Sequence, residues 1–332
     1  MSLVRKISLT AALAVAAFSV ASESLAEDKE LHIGTLAPRK SPWGKVFQAW
    51  QDEALDRSGG SLKLKFHYGG QQGDEEAMVG KMKTGQLAGA AITPVGLSKI
   101  WKPILALQMP GLFSKWEALD RARVALKDEA QKGFDDAGFV VLGYGDVGVA
   151  HVMSKGFPVK VPDDIKGKAP YMWAADEISP KFYGAIGGVT PVPLQVTEVL
   201  PKLTSGAVNI VNSPALVAEQ FQWAPNLDHI NVRPSGFVIG ALVMKKSALD
   251  ALAEDQKKVL NETGAAAADL LTKEIRGKDA SAFKRLEKKM TKVEPSDDDV
   301  AKWKEVFKKT RDELRRGVFS PELVTKLEGM SG

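Results

Sequence analysis

The sequence predicts an α/β protein of two domains, in which helices cover mixed, mostly parallel sheets. Three observations predict it. Strand and helix patterns alternate from residue 31 to residue 93. The chain beyond its leader is long enough for two domains at roughly 100–200 residues each. A helical pattern of unusual length then runs from Asp250 to Met290.

The leader is read first. Arg5 and Lys6 precede an apolar, alanine-rich stretch from Ile7 to Val20, and Ser24-Leu25-Ala26 follows. That order of basic, apolar and small residues is a secretory signal peptide, with cleavage expected after Ala26. Its apolar core is shorter than the roughly 20 residues that span a bilayer. The mature chain would run from Glu27 to Gly332.

Leu31–Leu36 reads as a strand, and Ser41-Pro42 as a helix cap followed by proline at the first helical position. Trp43, Phe47, Trp50 and Ala54 recur at helical spacing, so they belong to the core. Leu62, Leu64, Phe66 and Tyr68 alternate with polar residues, as in a half-buried strand. Asp74 caps the next helix, and Ala88–Thr93 is a strand of small residues. Strands are expected at Phe139–Tyr144 and, separately, at Ala150–Ser154. Pro170 keeps Lys168–Met172 extended. Helices follow at Ser179–Ile186 and Thr197–Ser205, and strands at Thr190–Leu194, Val208–Val211 and Phe237–Met244. In the long helix, Gly264 and Gly277 mark points of bending. Pro295-Ser296 opens a last helix.

The net charge is +4, with no long basic run, so nucleic acid is not an implied partner. The absence of cysteine excludes disulfides, thiolate metal sites and cysteine nucleophiles. His32, His67, His151 and His229 have no metal-ligand spacing. Gly80-Lys81 is followed by Met82 where a phosphate loop needs Ser or Thr. Gly184, Gly187 and Gly188 follow a helix rather than a strand, unlike a dinucleotide fingerprint. There is no Gly-x-Ser-x-Gly elbow. Asp297-Asp298-Asp299 reads as an acidic helix start rather than a calcium loop. An exported α/β chain with no catalytic cluster, cofactor motif or metal motif favours capture of a solute over chemistry.

Five stretches carry a resemblance. They are LHIGTLAPRKSPWGKVF at 31–47, YGGQQGDEEAMVGKMKTGQLAGAAI at 68–92, PVKVPDDIKGK at 158–168, PVPLQVTEVLPKLTSGAV at 191–208 and LVMKKSALDALAEDQKKVL at 242–260. In that order and spacing the mature chain resembles the DctP-type solute receptors of tripartite ATP-independent periplasmic (TRAP) transporters. The resemblance implies a periplasmic-binding-protein-like fold of two lobes joined by crossing strands, with the long helix bracing both. Lobe I would hold residues 27–147 plus 237–276, and lobe II residues 148–236 plus 277–332. It also implies a periplasmic monomer that takes a small molecule in the cleft and hands it to TRAP membrane subunits.

The resemblance further implies a carboxylate ligand held by an arginine on the strand after an Asp-x-Lys-Gly turn. Here the turn is Asp164-Ile165-Lys166-Gly167, and the arginine position holds Tyr171. A second arginine position holds Ala150. Asn212 and Ser213 replace an acidic run before Pro214, and Leu36 and Thr93 stand where sugar-acid receptors use polar groups. A tyrosine offers one neutral hydrogen bond, worth about 0.5–1.5 kcal/mol, and cannot replace a bidentate ion pair. The expected pocket is therefore less charged than usual. Tyr144, Tyr171 and Trp173 supply aromatic walls, and Gln195, Asn212 and Ser213 supply neutral hydrogen bonds. Its ligand would be neutral, apolar or amphipathic. Alternatively a carboxylate is held by a substitute cation: Arg39 in the loop after the first strand, Arg233 or His151. A third possibility is a lipid-handling or sensing protein coupled to no TRAP transporter.

Overall fold

The computed structural model describes residues 27–331; the expected signal peptide and its cleavage site lie outside them. In chain order the strands and helices begin with β1 (Lys29–Thr35), α1 (Pro42–Arg57), β2 (Leu62–His67), α2 (Glu75–Lys83), β3 (Gly89–Ile92), α3 (Pro94–Leu97), α4 (Trp116–Asp136) and β4 (Phe139–Ser154). Next come β5 (Tyr171–Trp173), α5 (Ser179–Ile186), β6 (Val192–Leu194), α6 (Val199–Thr204), β7 (Ile210–Pro214), α7 (Ala215–Gln220) and β8 (His229–Asn231). The chain ends with β9 (Gly236–Lys245), α8 (Lys246–Asp250), α9 (Glu254–Lys289), β10 (Thr291–Val293), α10 (Asp297–Gly317) and α11 (Pro321–Glu328).

The first lobe follows the sequence pattern closely. Ser41 caps α1, its Oγ accepting from the Gly44 amide, with Pro42 at the first position. Trp43, Phe47, Trp50 and Ala54 are all buried. β1 pairs parallel with β2 and β3, and β3 pairs antiparallel with β9. The 21-residue α4 lies in a stretch where the sequence signals no element. Its buried face is largely alanine (Ala118, Ala122 and Ala130 beside Leu119, Leu126 and Phe134), which weakens the apolar period.

β4 departs most from expectation. Two strands are expected, at Phe139–Tyr144 and Ala150–Ser154, and one 16-residue strand is found. Its glycines mark bulges rather than ends: the register against β9 shifts between Val141 and Gly143 and between Asp146 and Gly148. Gly148 has φ +145°, and a Cβ there would sit 2.5 Å from the Asp279 carboxyl carbon. The first part of β4 pairs with β9. Its last residues pair with β7 on one edge and β8 on the other, and β8 pairs with β10. One eight-stranded mixed sheet thus runs through both lobes. The small parallel pair β5–β6 approaches β7 through a bridge from Pro170 to Ile210. The second lobe has its own apolar cluster, in which Phe182, Trp303 and Phe307 pack with Val152 and Ile210.

Helix α9 runs 36 residues without interruption through Gly264 and Gly277. Gly264 serves close approach instead: a Cβ there would lie 3.2 Å from Trp50. Trp50 Nε1 donates to Thr263 Oγ1 at 3.0 Å, fixing α9 to α1. Fifteen residues past Gly264 the helix brings Asp279 to the other lobe, where that carboxylate accepts from the Val149 amide at 2.8 Å and the Leu216 amide at 2.9 Å. The helix therefore braces both lobes.

At the crossing point the Asp146 carboxylate has no solvent exposure. It meets Arg123 of α4, and Arg276 of α9 at 2.5 Å. Arg276 also forms a bidentate pair with the half-exposed Asp120, at 2.7 and 2.9 Å. Asp146→Ala should destabilise the fold by about 3–5 kcal/mol, because it strips the largely buried Arg123 of its main counter-charge. Asp120→Ala should cost less than about 1 kcal/mol, since Asp120 is half-exposed and Arg276 keeps Asp146. Urea unfolding of the two variants checks the ranking.

Candidate functional site

A cavity of about 290 Å³ lies between the lobes, at the lower end of the roughly 300–1,000 Å³ of small-molecule sites. Thr35, Leu36 and Thr93 reach it from the first lobe. Ala150, Asn212 and Ser213 reach it from β4 and β7, and Tyr171 and Trp173 from β5. Aromatic rings form much of its wall: Trp43 and Phe47 on one side, Phe221, Trp223 and Phe237 on the other.

The lobes are tied together over this cavity. Asp74, the cap of α2, accepts from the Glu75 amide through Oδ1 at 2.7 Å. Its Oδ2 accepts from Trp173 Nε1 and from the Val196 amide, both at 3.0 Å across the cleft. Lys102 and Glu177 form a second tie at 2.9 Å. Trp173 thus has a double role, lining the cavity and clasping the first lobe.

No lysine, arginine or histidine is among the described residues that line the cavity. Its charged lining consists of Glu75, Asp146 and Asp176. Asp146 is paired with arginine, as above. Asp176 accepts from the amides of Ile178 and Ser179 at 3.0 Å each, at the start of α5. Glu75 is buried and accepts from the Thr93 amide at 2.9 Å, Thr93 Oγ1 at 2.8 Å and the Gly96 amide at 2.9 Å. Burial pushes the Glu75 carboxyl up to about 8, the three hydrogen bonds opposing and Asp74 adding to the rise.

Tyr171 is the polar exception. Its hydroxyl is buried with no hydrogen-bond partner among the described residues. Burial, then Asp74, Asp176 and Glu75, raise its ionisation well above the usual phenol range, so it stays a neutral donor. Its ring meets Trp223 edge to face, with centroids 5.9 Å apart. The turn that delivers Trp223 is strained. Gln222 has φ +61°, a left-handed position that glycine usually takes. The Trp223 amide bonds back to the Ala218 carbonyl at 2.8 Å, closing α7. The Phe221–Gln222–Trp223 run is visible in the sequence, but its left-handed middle residue is not a glycine, so it gives no turn signal.

Three expected site residues lie elsewhere. Arg39 is exposed in a shallow depression with Lys40, Lys45 and Gln48. The turn in which Ser41 donates to the Pro38 carbonyl holds that loop, and the Arg39 guanidinium sits 5.9 Å from the Tyr68 ring. Gln195 is exposed, its amide nitrogen in the main chain capped by Glu198. Tyr144 does not line the cavity. Gly143 and Gly145 face Ala268 and Leu271 of α9, so strand alternation turns Tyr144 to the side of Arg123. The other suggested cations also miss the cavity. Arg233 is exposed. His151 is buried against Phe283, with Nδ1 2.9 Å from the Asn231 carbonyl, and burial pulls it down to about 4, so it is neutral.

Residues 33–316 match the model of the DctP family, described as bacterial extracellular solute-binding protein, family 7. The chain belongs to that family. DctP proteins bind solutes and are not enzymes. A curated relative, the 2,3-diketo-L-gulonate-binding periplasmic protein YiaO of Escherichia coli (strain K12), is 22% identical over 259 residues, 76% of this chain and 77% of YiaO. A TRAP periplasmic solute-binding protein of Shewanella oneidensis, solved with succinate, has TM-score 0.85 and 18% identity over 92% of this chain and 100% of that one. One from Sulfitobacter sp. NAS-14.1, solved with β-D-galacturonate, has TM-score 0.82 and 17% identity over 91% and 99%. At these identities the solved structures establish the shared fold.

Two outcomes are expected. Asp74→Ala removes the helix cap and both cross-cleft bonds. It should cost about 1 kcal/mol through the cap and raise the radius of gyration in small-angle scattering as the lobes part. The Glu75 effect has a definite sign. Its folded value, about 8, exceeds its ordinary 4.5, so between these pH values the native state holds more protons than the unfolded chain. Stability from this group is lost as pH rises through that window. Urea midpoints should show Glu75→Gln gaining on the parent protein from pH 5 to pH 8.

Proposed function

We propose that this DctP-family chain is a periplasmic receptor for a solute that brings no carboxylate to its anchoring point, and that it hands this solute to TRAP-type membrane subunits. The solute is uncharged there, with an apolar or amphipathic body. The observation that carries this reading is that no lysine, arginine or histidine lines the cavity among the described residues. Tyr171 stands at the position where the family resemblance implies an arginine. A carboxylate placed beside it would meet the field of Asp74 and Asp176, groups that already disfavour a negative charge on the Tyr171 oxygen. Burying such a charge without a paired cation costs several kcal/mol.

The proposed receptor works as a monomer by hinge closure, in which a few residues absorb the backbone change. We assign 27–147 plus 237–276 to the first lobe and 148–236 plus 277–332 to the second. The bulge at Asp146–Gly148 supports a hinge there. Solute binding favours the closed state by its differential affinity for the two lobe arrangements.

A second reading is that of an organic-acid receptor. It is favoured by the relatives, since the proteins from Shewanella and Sulfitobacter were solved with succinate and galacturonate. Calorimetry separates the two. The parent protein should bind neither succinate nor D-galacturonate at millimolar concentration, whereas Tyr171→Arg should acquire measurable affinity for one of them. Native mass spectrometry of the purified protein should release a solute lacking a carboxylate. Tight succinate binding by the parent protein would sink the proposal.

A further inference from the structure

The acids around the cavity are each provided for within the protein. Asp146 has two arginines. Asp74 and Asp176 accept from amides and from Trp173 or Ser179. Glu75 takes three donors. No acid is left as a dedicated counterion for a cationic solute. Among the described residues, one buried side-chain group of the lining is not provided for, the Tyr171 hydroxyl beside Trp223.

A buried donor left unmade costs about 1–3 kcal/mol, so this hydroxyl is a demand on the ligand. A second donor lies on the same wall. Asn212 receives the Ser235 hydroxyl on Oδ1 at 2.6 Å, so its amide nitrogen is turned away from Ser235 and remains available. Both groups line the cavity. Tyr171 stays neutral, and as a donor it calls for an acceptor atom.

We propose that the solute presents an uncharged hydrogen-bond acceptor of the carbonyl class to the Tyr171 hydroxyl, with its apolar body laid against the rings of Trp173, Phe221 and Trp223. This inference rests on the functional reading above and specifies the polar end of the solute. It makes Tyr171 the residue that sets specificity. A carbonyl accepts the phenol proton without bringing a charge into the field of the acids. An ammonium has three donors to satisfy, and the cavity acids already accept from protein groups, which leaves it only the Tyr171 oxygen.

Three matched probes test the proposal by calorimetry on the full mature protein: 3-phenylpropanamide, 3-phenylpropylamine and 3-phenylpropanoate. The amide is expected to bind best. Tyr171→Phe is expected to weaken the amide about 5–10-fold, the loss of one neutral hydrogen bond. The same variant should keep or raise the melting temperature of the ligand-free protein, because an unsatisfied buried hydroxyl is removed. That second measurement separates a binding role from a folding defect. Preference for the amine overturns the acceptor inference alone and leaves the carboxylate-free reading standing. Preference for propanoate overturns both. Equal amide affinity in Tyr171→Phe, or no heat from any probe at millimolar concentration, also overturns the inference.

Discussion

The buried Asp146 carboxylate is the constraint on which the rest of the molecule depends. It sits where β4 passes from one lobe to the other, and it is held by arginines from two different helices. A lone carboxylate there would be too costly to bury. The pairing therefore forces α4 and α9 to converge on the crossing strand. Arg276 completes the arrangement by stacking over Trp116, 4.3 Å from its ring, and Trp116 in turn meets Phe237 of β9. On the far side of the bulge, Asp279 does the same work with amides instead of arginines. The two aspartates pin the strand on either side of Gly148. In the proposed hinge closure the backbone change falls within those few residues, where the register of β4 against β9 already shifts.

That pinning also places the binding cavity. Asp146 lines it, and Trp43 Nε1 donates to the Asp146 carbonyl at 3.3 Å. The first helix is thereby fixed to the crossing point, and its aromatic face becomes one wall. The opposing wall is set by β5, whose Trp173 is captured by Asp74. Closure and cavity shape thus share residues: a solute that displaced Trp173 would also break the clasp.

Much of the fold was legible in the sequence because period and caps agree. Ser41-Pro42, Asp74 and Ser296 all cap the helices that their sequence positions imply. What escaped had physical reasons. The alanine face of α4 buries little side chain and leaves a weak stripe. Glycines that read as strand ends are bulges in β4, because continuous pairing with β9 outweighs their weak strand preference. In the site, Leu36, Thr93, Ala150, Tyr171, Trp173, Asn212 and Ser213 do line the cavity. Glu75, Phe221 and Trp223 were not foreseen as lining. Glu75 looks like an ordinary acidic first turn until α3 is seen to direct its amides at it. Loop residues such as Arg39 and Gln195 do not line the cavity, since spacing alone does not say which way a loop turns.

The exchange of arginine for tyrosine changes more than one contact. An arginine at residue 171 would compensate the acids nearby. Without it, each acid is held by other groups of the protein. Asp146 is matched by guanidinium groups, and Asp74 and Asp176 by amides at helix starts. Glu75, buried without a cation, instead holds a proton to about pH 8. A cavity that required a carboxylate to complete its charge would leave a cation waiting. This one leaves a neutral hydroxyl waiting, and that is the physical basis for expecting an uncharged partner at Tyr171.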